Sequence, residues 1–161
     1  MTAFDPIRAL QVFADHEVRF VVIGGVAGAT HGSPCVTQDL DVCYERSPEN
    51  LERLAEALGS IHAALRGVDD DLPFAPNAET LGAGDHFTFT TDLGDLDCLG
   101  IPAGTLGYDD LVKTAIDVDL DGLVVAVASL DDLIRMKRAA GRPRDLAELE
   151  ILGALLEESP S

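Results

Sequence analysis

Two short segments in the first third of the chain carry residues whose types and spacing could bind a phosphorylated ligand. The apolar run 18–23 ends in Gly24-Gly25, and after thirteen further residues come Asp39 and Asp41, at positions i and i+2. Two glycines between a strand and a helix leave backbone N–H groups free at the start of the helix, where anions such as phosphate bind. The first segment therefore predicts a phosphate site.

The two aspartates predict a cation site beside it. Side chains two residues apart in a strand point to the same face, so Asp39 and Asp41 lie close together. Two carboxylates repel each other unless positive charge lies between them, and Mg²⁺ is usually held by a few carboxylates together with substrate phosphate oxygens. Either segment alone is more typical of a turn or of a solvated strand face. Their combination, with a later Asp95-Leu96-Asp97 strand, favours a functional site.

The pattern as a whole resembles the signature of the polymerase-beta-like nucleotidyltransferase superfamily: apolar-Gly-Gly, a gap, then Asp-apolar-Asp-apolar. Within it, the chain is similar to the small prokaryotic enzymes of the abortive-infection and toxin–antitoxin group, which residues 129–137 and 142–145 also resemble. The resemblance covers residues 18–150. One departure is that many relatives have Gly-Ser where this chain has Gly24-Gly25, which removes a hydroxyl that could contact a phosphate.

The resemblance implies transfer of a nucleoside monophosphate from an NTP to an acceptor hydroxyl, with two Mg²⁺ ions or with Mn²⁺ in their place. Gly24 and Gly25 would hold the triphosphate, and Asp39 and Asp41 would bind the metal. A third carboxylate on a later strand would bind the second ion and help to deprotonate the acceptor. We expect this third carboxylate to be Asp97.

Asp95 is the alternative to Asp97, because both lie on the same face of the predicted strand. Asp95 follows Gly94 at a predicted turn, where a carboxylate is easily solvated. Asp97 lies within the run 96–99, which is otherwise suited to burial, and an ionised carboxylate there is costly without a cation. We therefore predict that Asp97, and not Asp95, is the third catalytic carboxylate.

A basic cluster near the C-terminus is the second candidate element of the site. Five of the eleven basic residues stand within ten positions with no acidic residue among them: Arg135, Lys137, Arg138, Arg142 and Arg144. Cations near the end of a helix can simply complement its dipole. In a chain with a net charge of −18, this cluster is also where an anionic substrate is expected. We predict that Lys137 and Arg142 bind the nucleotide.

The acceptor is left open by the sequence. A toxin–antitoxin role predicts either an RNA acceptor such as tRNA or a partner protein, and a cognate toxin or antitoxin as binding partner. A small molecule is a further option, as in aminoglycoside nucleotidylation. The alternative to an enzyme is a catalytically silent nucleotide- or partner-binding module with the same fold, although the intact set of aspartates argues against it.

The elements that position these residues follow from the apolar pattern. Strands are predicted at 18–23, 37–44 and 62–66, with hairpins at 86–99 and 116–128. Helices are predicted to begin at Asp5-Pro6, Val26, Ser47, Ser129 and Pro143, and His31 is interpreted as an ordinary helix-end histidine. Residues 67–84, with Asp69–Asp71, are interpreted mostly as a solvated loop. The alternation predicts an α+β, α/β-like fold, a mixed β-sheet flanked by helices with a C-terminal helical pair.

Length and composition limit the number of domains and the classes of function that the chain can have. The chain has 161 residues, 47% of them hydrophobic, with 29 acidic and 11 basic side chains. We expect one domain over residues 1–161, with a core at 18–128 and C-terminal helices at 129–157. The acidity argues against a broad nucleic-acid- or membrane-coating surface. Three cysteines without CxxC spacing argue against a disulfide framework or zinc site. With no leader or membrane span recognised, a cytoplasmic protein is expected.

Overall fold

A seven-stranded mixed sheet forms the centre of the computed structural model, which describes residues 3–67 and 76–158. Within these residues the strand order is β3-β4-β5-β2-β1-β7-β6. The strands are β1 (Phe20–Ile23), β2 (Asp39–Tyr44), β3 (Ala64–Leu65), β4 (His86–Thr91), β5 (Gly94–Leu99), β6 (Ile116–Leu120) and β7 (Leu123–Val127).

Strand β2 lies in the middle of the sheet and joins its two halves. It runs antiparallel to β1 and parallel to β5, while β1 runs parallel to β7. The two predicted hairpins, β4–β5 and β6–β7, are antiparallel and form most of the two flanks. The sheet is therefore mixed, as the sequence predicted.

Seven helices surround the sheet in the described residues. They are α1 (Pro6–Asp15), α2 (Gly24–Thr30), α3 (Pro48–Ser60), α4 (Ala78–Ala83), α5 (Tyr108–Leu111), α6 (Leu130–Ala140) and α7 (Pro143–Glu158). The predicted N-caps are present: Asp5, Ser47 and Ser129 each accept a hydrogen bond from the backbone N–H three residues on. Gly141 ends α6 in the left-handed conformation, and α6 packs on α7 as a C-terminal pair.

Burial along the two central strands explains how the sheet can carry a polar site. All four residues of β1 are buried. In β2 the side chains of Leu40 and Val42 are buried in the core, whereas Asp39 and Asp41, on the opposite face, are half-buried. The alternation thus places the carboxylates at a partly enclosed surface, next to the most buried part of the sheet.

Three parts of the chain differ from the sequence prediction. Helix α2 begins at Gly24 rather than Val26, so both glycines belong to its first turn. Helix α4 lies in a segment predicted mostly as loop, because Asn77 caps it and Leu81 buries its apolar face, while the surrounding glycines and prolines hide the pattern. The short helix α5 was also not predicted. Asp69–Asp71 lie outside the described residues.

A helix that crosses a bilayer needs about 20 consecutive, mostly apolar residues. None of the helices in residues 3–67 and 76–158 combines the length and the apolar character needed to cross a bilayer.

Candidate active site

A single cavity brings together the seven residues that the sequence predicted as site residues. Its volume is about 640 Å³, within the range of sites that hold small-molecule ligands. The lining includes the seven predicted site residues: Gly24, Gly25, Asp39, Asp41, Asp97, Lys137 and Arg142. They come from β1–α2, β2, β5 and α6–α7. Asp95, the alternative to Asp97, does not line the cavity.

Asp41 and Asp97 form the polar centre of the cavity. They are register partners in the parallel β2–β5 ladder, as Asp39 is with Asp95. Burial, the charge and proximity of Asp97 and the charge of Asp39 together raise the pKa of Asp41 to about 8, against the opposing charge of Lys137. Two negative charges so close together are unfavourable unless a proton or a cation compensates them.

This carboxyl pair fits a divalent cation. In the described residues no three His, Cys, Asp or Glu side chains are arranged as a complete metal site. Mg²⁺ does not need such a site, because one or two carboxylates, water and substrate phosphates usually hold it. Asp41 and Asp97 are partly enclosed and face each other across the ladder, so a cation between them would relieve the repulsion that helps to raise the pKa of Asp41. Their donor oxygens match the preference of Mg²⁺ for hard ligands.

Gly24 allows the start of α2 to lie against Asp41. Its φ is +69°, and a Cβ at this position would lie 2.0 Å from Oδ2 of Asp41. Both the backbone conformation and the lack of space therefore require glycine. The residues predicted to bind phosphate and those predicted to bind the cation are therefore in direct contact.

Gly25 is required for a different reason, which involves a residue that sequence reasoning missed. A Cβ on Gly25 would lie 2.7 Å from Cβ and 2.8 Å from Oγ1 of Thr37. The Thr37 hydroxyl donates to the carbonyl oxygen of Asp39 (3.0 Å) and accepts from its N–H (3.3 Å). Thr37 thus places a hydroxyl next to the position where many members of the superfamily that the sequence resembles carry serine.

The basic residues of the cavity are held by a buried carboxylate on α7. The Lys137 Nζ lies 3.3 Å from Oδ1 of Asp145 and also contacts Glu148. Arg142 donates through Nε to Oδ2 of Asp145 at 2.9 Å. The side chain of Asp145 is only 1% exposed. It fixes both cations at the cavity wall, a role that the sequence gave no reason to expect.

The predicted basic cluster is divided between two sides of α6. Lys137, Arg142 and Arg144 line the cavity. Arg135 instead pairs with Asp110 at 3.1 Å and with Asp132 at 3.0 Å, and with Arg138 it lines a separate groove. Residues one or two positions apart on a helix face different directions, whereas Arg135 and Arg138, three positions apart, share a face, so closeness in sequence did not give one surface here.

The histidines and cysteines described next belong neither to the carboxyl pair nor to the basic residues of the cavity. Nε2 of His31 lies 2.8 Å from the carbonyl oxygen of Ala128 and so joins the end of α2 to the end of β7, consistent with its interpretation as a helix-end residue. His86 lines the cavity although its spacing gave no signal. Cys35 also lines the cavity, while Cys43 and Cys98 are buried. Burial raises the pKa of the Cys43 thiol to about 12 and also raises that of Cys98.

Arg66, which follows β3, is a further residue that the sequence did not identify. Its Nη2 donates to Oδ1 of Asp97 at 3.0 Å. The only sequence signal was a basic residue at the end of a predicted strand, and the partner is 31 positions away. Such pairs depend on the order of strands in the sheet, which local patterns do not specify.

Comparison with protein-family models and with curated proteins finds no match. Several solved structures share the fold. A protein of Thermotoga maritima assigned as a nucleotidyltransferase is 18% identical and aligns over 98% of both chains, with a TM-score of 0.56. The lincosamide adenylyltransferase LnuA, solved with lincomycin, is 10% identical over 92% of this chain and 94% of its own, with a TM-score of 0.62. The resistance factor ANT(2'')-Ia is 12% identical, covers 93% and 81%, and has a TM-score of 0.60.

These likenesses establish the fold class. The described chain has the mixed α+β architecture of the nucleotidyltransferase fold, as predicted. At such low identity the likeness concerns the fold alone.

Proposed function

We propose that this protein is a magnesium-dependent nucleotidyltransferase that moves a nucleoside monophosphate from an NTP to an acceptor hydroxyl. The observation that carries the proposal is the contact between Gly24, at the start of α2, and Asp41, which is paired with Asp97 inside one cavity. A triphosphate site and a cation site must adjoin in this way for the cation to contact the transferred phosphate. The nucleotidyltransferase fold of the structural neighbours supports the same reaction.

Each side of the cavity has a role in this proposal. The backbone of Gly24 and Gly25 contacts the triphosphate, and Lys137 and Arg142 neutralise part of its charge. Asp41 and Asp97 would hold the metal, with Asp39 beside them at the cavity wall, and the metal would supply charge neutralisation at the phosphate and at the acceptor hydroxyl. Asp97 lies on the side of the cavity away from Gly24, where it can accept the proton of the acceptor hydroxyl.

The acceptor would approach from the β4–β5 side. There the cavity is lined by Asp85, His86, Leu99 and Ile101. The lysines and arginines among the described lining residues are Lys137, Arg142 and Arg144, all from the opposite α6–α7 side. This acidic and apolar side suits an uncharged or cationic acceptor better than an RNA backbone, which needs basic contacts. A small molecule or a partner protein is therefore favoured over tRNA.

One labelling experiment tests the reaction and the acceptor class together. The purified protein is incubated with each α-³²P-labelled NTP, Mg²⁺ and total cell extract, and label is followed into RNA, protein and small molecules. We expect label in the small-molecule or protein fraction with wild type and none with Asp41→Asn. Label in RNA would contradict the acceptor class. Label in no fraction would favour a silent binding module.

A further inference from the structure

Arg66 reaches the carboxyl pair from the β4 side of the sheet. It follows the two-residue edge strand β3, which pairs with β4, and β4 in turn pairs with β5. Its backbone N–H donates to the carbonyl oxygen of Thr88 at 2.9 Å. The short edge strand thus extends the sheet far enough to bring a guanidinium group beside Asp97.

The guanidinium group is fixed by more than its pairing with one carboxylate. Nη2 donates both to Oδ1 of Asp97 and to the carbonyl oxygen of Phe89, each at 3.0 Å. Nε is inaccessible to solvent and has no hydrogen-bond partner among the described residues; Oδ2 of Asp95 is 3.7 Å away. An unpaired buried donor is unfavourable. The observed orientation is therefore set by the contacts of Nη2 with Asp97 and Phe89.

Arg66 distinguishes the two aspartates of β5. Asp97 receives a direct hydrogen bond and its side chain is 19% exposed, whereas Asp95 lies beyond hydrogen-bond distance and is 41% exposed. Asp97 is also the cross-strand partner of Asp41. The Asp97 carboxyl group is thus held between a cation on one side and its β2 partner on the other.

We propose that Arg66 is a positioning residue, which holds the Asp97 carboxylate facing Asp41 so that this pair, and not Asp95, receives the divalent cation. The inference rests on the proposed function. Carboxylates that bind metals are commonly oriented by hydrogen bonds from neighbouring groups, and loss of such a neighbour typically lowers metal affinity or activity 10- to 100-fold. Arg66 is placed to make that contact without touching the nucleotide side of the cavity.

Mn²⁺ binding, followed by electron paramagnetic resonance with a non-hydrolysable NTP analogue, tests the role without relying on activity. We expect Arg66→Ala to weaken Mn²⁺ binding about 10- to 100-fold, Arg66→Lys to weaken it less, and added guanidinium to restore part of the affinity in Arg66→Ala alone. Arg46→Ala is the matched control, because Arg46 donates to the carbonyl oxygens of Gly82 and Gly84 and to no carboxylate of the site.

The outcomes separate the two proposals. Unchanged Mn²⁺ affinity in folded Arg66→Ala, or an equal loss in Arg46→Ala, overturns the role of Arg66 and leaves the proposed function standing. Absence of Mn²⁺ binding by wild type with the analogue overturns the proposed function and the role of Arg66 with it. Should Arg66→Ala fail to fold, Arg66→Gln keeps a polar side chain at the edge strand but removes the guanidinium cation that contacts Asp97. Weakened Mn²⁺ binding by this variant supports the role, and wild-type affinity overturns it.

Discussion

Asp41 and Asp97 are direct neighbours across the β2–β5 ladder and both line the cavity. Fifty-five residues lie between them in the sequence, so their meeting depends on the parallel pairing of two strands. Asp39 and Asp95 form the other cross-strand pair on this face. Asp39 lines the cavity, whereas Asp95 lies outside it. The register therefore separates an inner pair of carboxyl groups from an outer carboxylate.

The first prediction compares the two aspartates of β5. Asp97→Asn keeps the size of the side chain and removes the charge beside Asp41, so we expect the transfer rate to fall at least about 100-fold, as for loss of a proton-accepting group. Asp95→Asn, the matched control on the same strand face, should change the rate less than about threefold, because Asp95 lies outside the cavity. Single-turnover transfer of labelled nucleotide measures both. An inactive Asp95→Asn with an active Asp97→Asn would reverse the assignment.

The second prediction concerns pH and stability without metal. The pKa of Asp41 is raised from 3.8 to about 8, so the folded protein keeps a proton that the unfolded chain releases above pH 4. The contribution of Asp41 to stability is therefore full at low pH and is lost as the pH rises towards 8. Asp41→Asn has no carboxyl group that titrates at this position, so its stability does not fall in this way as the pH rises. We expect the stability of Asp41→Asn relative to wild type to increase by more than about 1 kcal/mol between pH 4.5 and 8.

Urea unfolding in EDTA at the two pH values provides the measurement. Asp95→Asn serves as a control for the removal of one acidic charge from this strongly acidic chain. A constant difference between Asp41→Asn and wild type at both pH values would show that Asp41 is not protonated in the folded protein.

The third prediction uses the space that Thr37 occupies. Gly25→Ser, which introduces the residue that many superfamily members carry, should destabilise the protein by about 1–3 kcal/mol through overpacking against Thr37. Thr37→Ala alone should loosen the start of β2 by removing two hydrogen bonds to Asp39. The double variant should recover part of the stability lost in Gly25→Ser. Thermal unfolding of the four proteins tests this coupling, and strictly additive effects would refute it.

The fourth prediction concerns Lys137, which lines the cavity and is paired with Asp145. Lys137→Ala should weaken nucleotide binding by about 1.5–3 kcal/mol, the usual value of a charged hydrogen bond. Lys113→Ala is the control, because Lys113 is exposed and lies outside the cavity. Isothermal titration with an NTP analogue and Mg²⁺ measures both. Equal, small effects would leave the complementing of the α6 dipole as the explanation for Lys137.

The fifth prediction follows from the positions of the three cysteines. Cys35 lines the cavity, whereas Cys43 and Cys98 are buried and have raised thiol pKa values. A thiol reagent should therefore modify one equivalent per folded chain, at Cys35. An NTP analogue with Mg²⁺ should slow this modification at least about tenfold if it fills the same cavity. Mass spectrometry identifies the modified residue, and Cys35→Ser should abolish the fast reaction.

The sequence predicted the centre of the site better than its surroundings. Gly24, Gly25, Asp39 and Asp41 are close in the sequence and follow a local strand–helix–strand pattern, so their spacing was sufficient to place them together. Asp97 was selected because an aspartate in an apolar strand needs compensation. That argument concerns burial and does not require knowledge of the strand order.

The partners of these residues could not be predicted, because they are brought in by tertiary packing. Arg66 reaches Asp97 only because β3 and β4 extend the sheet beyond β5, and Asp145 reaches Lys137 only because α7 packs on α6. The division of the basic cluster has the same origin. Helix α4 was missed because its short apolar face, marked by Leu81, lies among glycines and prolines that favour a loop.

The close approach of Gly24 to Asp41 also constrains the order in which descendants of this chain can change. No side chain fits at position 24 while the Asp41 carboxylate is present, since a Cβ would overlap its Oδ2. A lineage must therefore lose the carboxylate at 41, and also shift the Cβ of residue 41, which lies 2.9 Å from the same position, before it can accept a larger residue at 24. At a positive φ asparagine is among the most tolerated side chains. Homologues with a side chain at position 24 should lack the carboxylate at 41. The residue at position 24 would then indicate whether the carboxyl pair of the candidate site is still present.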